Sequence, residues 1–285
     1  MKRIKLTKKK ICLYSIISAF IKMRLYSIIL AVIIVLCFLI KQCTTPSSSS
    51  HHWRAGGDTL NVAIELSPTS VKTDGDTLSG FHYEILQDYA KEKNINIQFS
   101  GFSNLKSAIQ GLKKGQYDII VSDIQTTDKL KTDYIFTNPI YIDRRVLVRQ
   151  KTGEAKQFSQ ISLAGETIYV AAGGPDADRL AGLSREIGDT IHIIEDPEYG
   201  PEQLAILVAL GEIKQAVVGE EIARHIAEDY PNLDINNAVS FNQFQSWMTT
   251  PKHQELCDSI NSWLAKYNKT KRFKNLKSKY LRSTK

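Results

Sequence analysis

From Asp58 onward the spacing of apolar residues changes period repeatedly. "TLNVAIEL" (59–66) alternates apolar and polar positions in the two-residue rhythm of a half-buried strand. "SGFHYEILQDYAKEKN" then switches to helical spacing, with Phe81, Ile85, Leu86, Tyr89 and Ala90 on one face and Asn94 as its stop. "INIQF" predicts a second strand, "SNLKSAIQGLKKG" a helix opened by Ser103 and closed by Gly115, and "YDIIVSD" a third strand. This β-α-β-α-β order predicts parallel strands flanked by helices.

"RRVLVRQ" (144–150) interrupts the alternation as a lone strand, and the alternation then restarts. "ETIYVAAGG", "TIHIIED" and "QAVVGE" predict strands, separated by helices in "PDADRLAGLSREIG" and "GPEQLAILVALGE" and followed by one in "EIARHIAEDYP". Two such blocks predict an α/β chain of two lobes, residues 58–143 and 144–238. The remainder, 239–285, runs through "VSFNQFQSWMTT" into helices near 252–268 and 270–282 that return to the first lobe.

Charge matters only once it is located. The net charge is +7, but residues 1–43 hold nine Lys/Arg and no acid, which leaves 28 bases against 30 acids in residues 44–285. The basicity belongs to the leader, so a broad nucleic-acid-binding face is not expected. After those bases, Leu25 to Ile40 is uncharged, which suits a signal segment or a short membrane anchor. The positive flank would stay inside, placing residues 44–285 in the periplasm. Translation can start at Met1 or Met23. Cys43 follows the apolar run and precedes a polar tether, residues 44–57, as an acylated lipoprotein cysteine would; an uncleaved helix gives the same topology. No Cys/His spacing suits zinc, and no cofactor is implied. His51 and His52 fall in the tether, and Cys257 stands alone in the exported part.

"LSGFHYEILQDYAKEKNINIQF", "LKKGQYDIIVS" and "FTNPIY", in that order, resemble the family 3 extracellular solute-binding proteins, and the likeness runs from Thr59 to Leu281. It implies a two-lobed periplasmic-binding-protein-like fold of type II, with two parallel or mixed sheets joined by a hinge and closing over a small polar ligand. The second block, with "YVAAGGPDADRLAGL" and "QSWMTT", is similar to the non-catalytic N-terminal domain of the membrane-bound lytic transglycosylases F. The resemblance implies binding without catalysis, of an amino acid for an ABC permease or of a wall-derived muropeptide beside cell-wall enzymes.

The family's carboxylate-clamping arginine is replaced here by Leu130, with Lys129 and Lys131 as neighbours able to substitute. Its amine-pairing aspartate is replaced by Gly219, followed by Glu220 and Glu221. Ser67, Asp123 and Gln125 stand at strand ends facing the expected cleft, and Gly173 and Gly174 precede a helix start that could take an anion. Glu84 on the first helix reads as a solvated or interlobe group. Asp123 with Glu220 is the one pair a dehydratase-like enzyme on this fold could use. The last residues, Leu264 to Lys285, hold nine Lys/Arg and no acid, and read as a closing helix with a basic outer face.

Overall fold

The computed structural model describes residues 59–74, 77–151 and 158–281. The leader, Cys43 and the tether lie outside the described residues. Among those described, no helix is long and apolar enough to cross a membrane.

In chain order, β1 (Thr59–Glu65) leads through the hairpin β2 (Lys72–Asp74) and β3 (Thr77–Ser79) to α1 (Phe81–Lys93), β4 (Asn96–Phe102), α2 (Leu105–Lys113) and β5 (Ile119–Gln125). A single turn α3 (Asp128–Lys131) and two short strands, β6 (Ile135–Phe136) and β7 (Tyr141–Asp143), follow. Next come β8 (Arg145–Gln150), β9 (Thr167–Ala171), α4 (Asp176–Ile187), β10 (His192–Asp196), α5 (Pro201–Leu210), β11 (Gln215–Gly219), α6 (Glu220–Asp229) and β12 (Leu233–Ala238). The chain then forms β13 (Gln243–Thr249), α7 (Gln254–Tyr267) and α8 (Lys271–Tyr280).

Beside the separate β2-β3 hairpin, the strands make two large sheets. The first runs β4-β1-β5-β13-β6, with β7 also on β13; the second runs β10-β9-β11-β8-β12. Parallel pairing holds at β4-β1-β5 and at β10-β9-β11, as the alternation predicts. Each sheet is then extended by antiparallel strands, so both are mixed. The chain passes between sheets at Asp143–Arg145 and returns after Ala238. The crossings are tied together, because the Arg145 amide donates to Ser240 Oγ at 2.9 Å and Val239 N–H donates to the Arg145 carbonyl at 2.9 Å.

Several boundaries differ from expectation for identifiable reasons. Asn104, not Ser103, caps α2, since its side chain accepts from the Ser107 amide. The expected strand 144–150 is β8, but it is preceded by β7, an unexpected short strand that pairs in the other sheet. Leu233–Ala238 (LDINNA) carries no strand signature, yet it pairs along β8 as an edge. The sequence predicts a connection at 243–249, but β13 there is an interior strand of the first sheet.

The helices seal each sheet. Phe81, Ile85, Leu86 and Tyr89 of α1 join Leu60, Val62 and Ile64 of β1 in one core, and α7 and α8 add Trp263, Leu264, Phe273 and Leu276 to it. Asn94 stops α1 with φ 53, a left-handed conformation that asparagine tolerates better than most residues. Glu84 is not an interlobe group: Arg272, Lys279 and Tyr280 of α8 hold its carboxylate. The basic C-terminal helix thereby spends two cations on α1, and Arg272 also bonds Asp88 at 2.9 Å.

Candidate functional site

The C-terminal ends of β1 and β5 and the start of α4 converge where the crossings pass between sheets, the location at which open α/β sheets bind ligands. The lobes are shut there. Asn104 Nδ2 donates to the Pro197 carbonyl at 2.7 Å, and Lys129 Nζ meets Asp178 Oδ2 at 2.8 Å. Two glycines permit the approach. A Cβ on Gly173 (φ +89) would lie 2.7 Å from the Lys106 amide nitrogen, and one on Gly200 would lie 2.3 Å from the Ser103 carbonyl oxygen. The enclosed cavity is about 30 Å³, room for little more than water.

Gly200 allows a clean test of this closure. Its φ of −85 suits any L-residue, so Gly200→Ala strains chiefly the contact with Ser103, the Gln203 side chain at 3.0 Å being free to give way. Overpacking of this kind costs about 1–3 kcal/mol. We expect the variant to relieve it by opening, seen as a larger radius of gyration in small-angle X-ray scattering. An unchanged radius and melting temperature would mean that the lobes do not touch in solution.

A buried charge cluster fills the junction. Arg145, 6 % exposed, sends Nε to Asp176 Oδ1 at 2.8 Å and donates from Nη2 to the Asp123 carbonyl at 3.0 Å. Burial alone would lower its pKa, but Asp176, Asp143 and Asp123 raise it, so it stays charged. Asp143 is buried, and neither of its carboxylate oxygens makes a well-aligned hydrogen bond among the described residues; burial pushes its pKa up to about 8. Glu65 ends β1 at 7 % exposure, lines the 30 Å³ cavity and makes no hydrogen bond or ion pair among the described residues. Burial, then repulsion by Asp123, raises its pKa to about 8.

Asp123 also lines the cavity, but its carboxylate is committed to protein groups. Trp247 Nε1 donates to His82 Nδ1 at 2.9 Å, and an indole can only donate, so the imidazole proton sits on Nε2, 2.7 Å from Asp123 Oδ1. From the other side Thr69 Oγ1 donates to Oδ2 at 2.6 Å, and Ser67 Oγ lies 3.2 Å from Thr69 Oγ1. Thr69 has spent its proton, so Ser67 donates to it. Burial works against ionisation here, but the bonds from His82 and Thr69 hold the Asp123 carboxyl below its usual range. A base already satisfied in this way is poorly placed to move a substrate proton.

The other expected residues scatter. Gly174 lines the cavity, whereas Gly173 packs on Lys106. The start of α4 presents the buried carboxylate of Asp176, which would repel an anion. Ser67 borders a second cavity of about 350 Å³, lined also by Leu66, Val71, Lys72, Phe99 and Glu202. Lys129 is spent on Asp178, Lys131 lies 3.6 Å from Asp128, and Leu130 packs into the first lobe's core. Gln125 borders neither cavity, and its Oε1 is buried without a hydrogen-bond partner among the described residues. Glu220 faces a separate groove, chelated by Arg144 at 2.7 and 2.8 Å and bonded to Arg224. Burial opposes its ionisation, but these arginines hold its pKa below the usual range. Asp123 and Glu220 therefore do not converge on one space.

Glu65, Asp143, Arg145 and His82 were missed by sequence reasoning. Glu65 had a legible signal: it is the only ionisable residue in β1 and sits at the strand end that faces the crevice.

Comparison with known proteins follows this geometry. The model of the bacterial extracellular solute-binding proteins, family 3, matches residues 60–283. Membrane-bound lytic murein transglycosylase F of Pseudomonas putida (strain F1) is 23 % identical over 247 residues, covering 86 % of this chain and 50 % of that protein. The chain thus spans about half the length of that relative. The structure of the substrate binding protein of an amino acid ABC transporter superposes with a TM-score of 0.67 at 16 % identity, covering 78 % of this chain and 98 % of that one. Truncated ArgBP from T. maritima, in its arginine-bound form, gives 0.64 at 19 % identity, covering 73 % and 95 %. These superpositions show the two-lobed α/β fold.

Proposed function

The chain belongs to the family 3 bacterial extracellular solute-binding proteins, and from that premise we propose that it closes its two lobes over a small polar ligand in the cell envelope, without catalysis. The observation that carries this reading is the buried ionisable cluster at the lobe junction, where Glu65 lines the interlobe cavity and makes no side-chain hydrogen bond or ion pair among the described residues. Closure is favoured by a ligand when contacts to both lobes exist only in the closed state. The N-terminal leader would tether the binder to the membrane, through Cys43 or an apolar helix. A fragment of peptidoglycan is the first candidate ligand, because relatives of which the chain spans about half are named as murein transglycosylases. A free amino acid delivered to an ABC permease is the second, supported by the names of the solved neighbours.

A thermal-shift screen of the purified full-length chain against muropeptides, amino acids and other polar solutes tests the reading. A ligand at about 100 times its Kd stabilises the folded state by about 2.7 kcal/mol, which raises Tm by several degrees. A shift with muropeptides alone supports the wall-fragment role, and one with free amino acids the importer role. Turnover of any of them, lost in Asp123→Asn, would replace binding with chemistry.

A further inference from the structure

Resting on the tethering proposed above, we infer that the elbow between α7 and α8 is a second interaction surface. It lies on the anionic phospholipid headgroups of the membrane and holds the crevice away from them. Charge is segregated along the chain. Leu264 to Lys285 hold nine Lys/Arg and no acid, which leaves 19 bases against 30 acids in residues 44–263. The second lobe, 144–238, has nine bases against 16 acids. On α8, Arg272 and Lys279 are paired with Glu84 and Asp88 of α1, and Lys277 lines the groove that holds Glu220. Lys266, Lys269, Lys271 and Lys274 are exposed, and their side chains make no hydrogen bond or ion pair among the described residues. The acids beside them are already engaged, since Glu92 accepts from the Trp263 indole at 2.8 Å. Glu255 and Asp258 lie in the first two turns of α7, at its far end.

The place of this face in the fold says what it meets. Trp263 bonds Glu92, and Tyr267 and Arg272 bond Asp88, so the elbow is set against the C-terminal half of α1. The last turn of α1 adds Lys91 and Lys93, both exposed. Three residues on, Asn96 opens β4 and pairs with Thr59, where β1 begins. The elbow therefore shares one end of the first lobe with the point at which the chain arrives from residues 44–57. That stretch can span no more than about 50 Å, so a membrane that holds the leader is within reach of this face. The contact is then intramolecular, and a weak surface suffices. Each lysine near an anionic bilayer favours contact by about fivefold, while the acidic second lobe is repelled. The crevice lies at the opposite end of the strands, because β1 climbs about 20 Å from Thr59 to Glu65. An anionic wall polymer would offer the same charge, but nothing ties it to this end of the molecule.

Lysine acetylation read by mass spectrometry tests this on the full-length chain. The chain is placed on vesicles of phosphatidylcholine alone, or with about 30 % of the anionic lipid phosphatidylglycerol. Lys266, Lys269, Lys271 and Lys274 are expected to react about fivefold or more slowly on the anionic vesicles. They should recover in about 0.5 M salt, which screens exposed charges within a few ångströms. Lys106 at the crevice end and Lys214 in the second lobe should react equally on both vesicles. Because reactivity is read lysine by lysine, the leader's own bases do not confuse the result. The triple variant Lys266→Glu, Lys269→Glu, Lys271→Glu should abolish the slowing at Lys274 with an unchanged circular dichroism spectrum; if it fails to fold, the footprint of the parent chain decides alone. Equal reactivity on the two vesicles, slowing that extends evenly to Lys106 and Lys214, or stronger protection by purified peptidoglycan sacculi would overturn the inference. Flotation separates this surface from the tether. A chain that floats with neutral vesicles but shows no footprint keeps the tether and loses the surface, and one that floats with neither vesicle loses both.

Discussion

Replacing Arg145 with methionine is expected to cost the folded protein about 3–5 kcal/mol, the usual result of removing one partner from a buried ion pair. Three carboxylates depend on this guanidinium. Asp176 is paired to it at 2.8 Å, and it is the cation that favours ionisation of Asp143 and Glu65. Without it Asp176 must stay charged and unpaired or take up a proton, and either is costly at 5 % exposure. Since a folded domain holds only about 5–15 kcal/mol in all, such a loss is a large fraction of it. Urea unfolding followed by tryptophan fluorescence would measure it. Arg145→Lys should fall between, because an ammonium keeps the charge but not the fork that reaches both Asp176 and the Asp123 carbonyl. A midpoint for Arg145→Met within about 0.5 kcal/mol of the parent, the range of an inert surface change, would mean the cluster needs no central cation.

Raising the pH from about 5 to about 8 should destabilise the fold by an amount on the order of a few kcal/mol. Glu65 and Asp143 both have pKa values near 8 when folded, against about 4.3 and 3.9 in an unfolded chain. Protonation therefore favours the folded state. The benefit is complete below the unfolded values, falls as the unfolded chain gives up its protons, and is lost once pH passes about 8. Acids shifted the other way, such as Asp123 and Glu220, lose their contribution only on the acid side of their ordinary values. The window between about 5 and 8 is thus left to the raised acids, Glu65 and Asp143 foremost, with Glu202 raised by burial beside them. The double variant Glu65→Gln, Asp143→Asn should flatten the curve of Tm against pH across that window. A parent protein with equal Tm at pH 5 and 8 would show that water or relaxation solvates these carboxylates.

The layered part of the fold was legible because periodicity reports which face of an element is buried. It let α1 be drawn with Phe81, Ile85, Leu86, Tyr89 and Ala90 facing inward, and all five are buried. The same signal says nothing about a partner distant in sequence. β13 reads as a polar connection until it is paired with β5, and its Trp247 finds His82 at a separation of 165 residues. The site suffered most from this. Asp123 and Gly174 were placed at strand ends, and both line the cavity, but whether a carboxylate is free or committed depends on its neighbours across the junction. Asp123 is committed through Thr69 and His82, and Glu220 through Arg144 and Arg224. Glu65 makes no hydrogen bond or ion pair among the described residues, because Arg145, the cation that bears on it, is paired with Asp176.

The interleaved path of the chain sets an order on how the molecule can be made. All five strands of the second sheet come from one continuous stretch, residues 145–238, so that sheet can be complete as soon as its last residue is available. The first sheet is begun earlier and finished later, since β13 must insert between β5 and β6, and its core still lacks Trp263, Phe273 and Leu276. During vectorial emergence the segment that starts first therefore waits longest, with β5 unpaired along one side. An unpaired strand of that kind, Ile119–Gln125, is the stretch of this chain most in need of a holding chaperone before the last forty or so residues arrive.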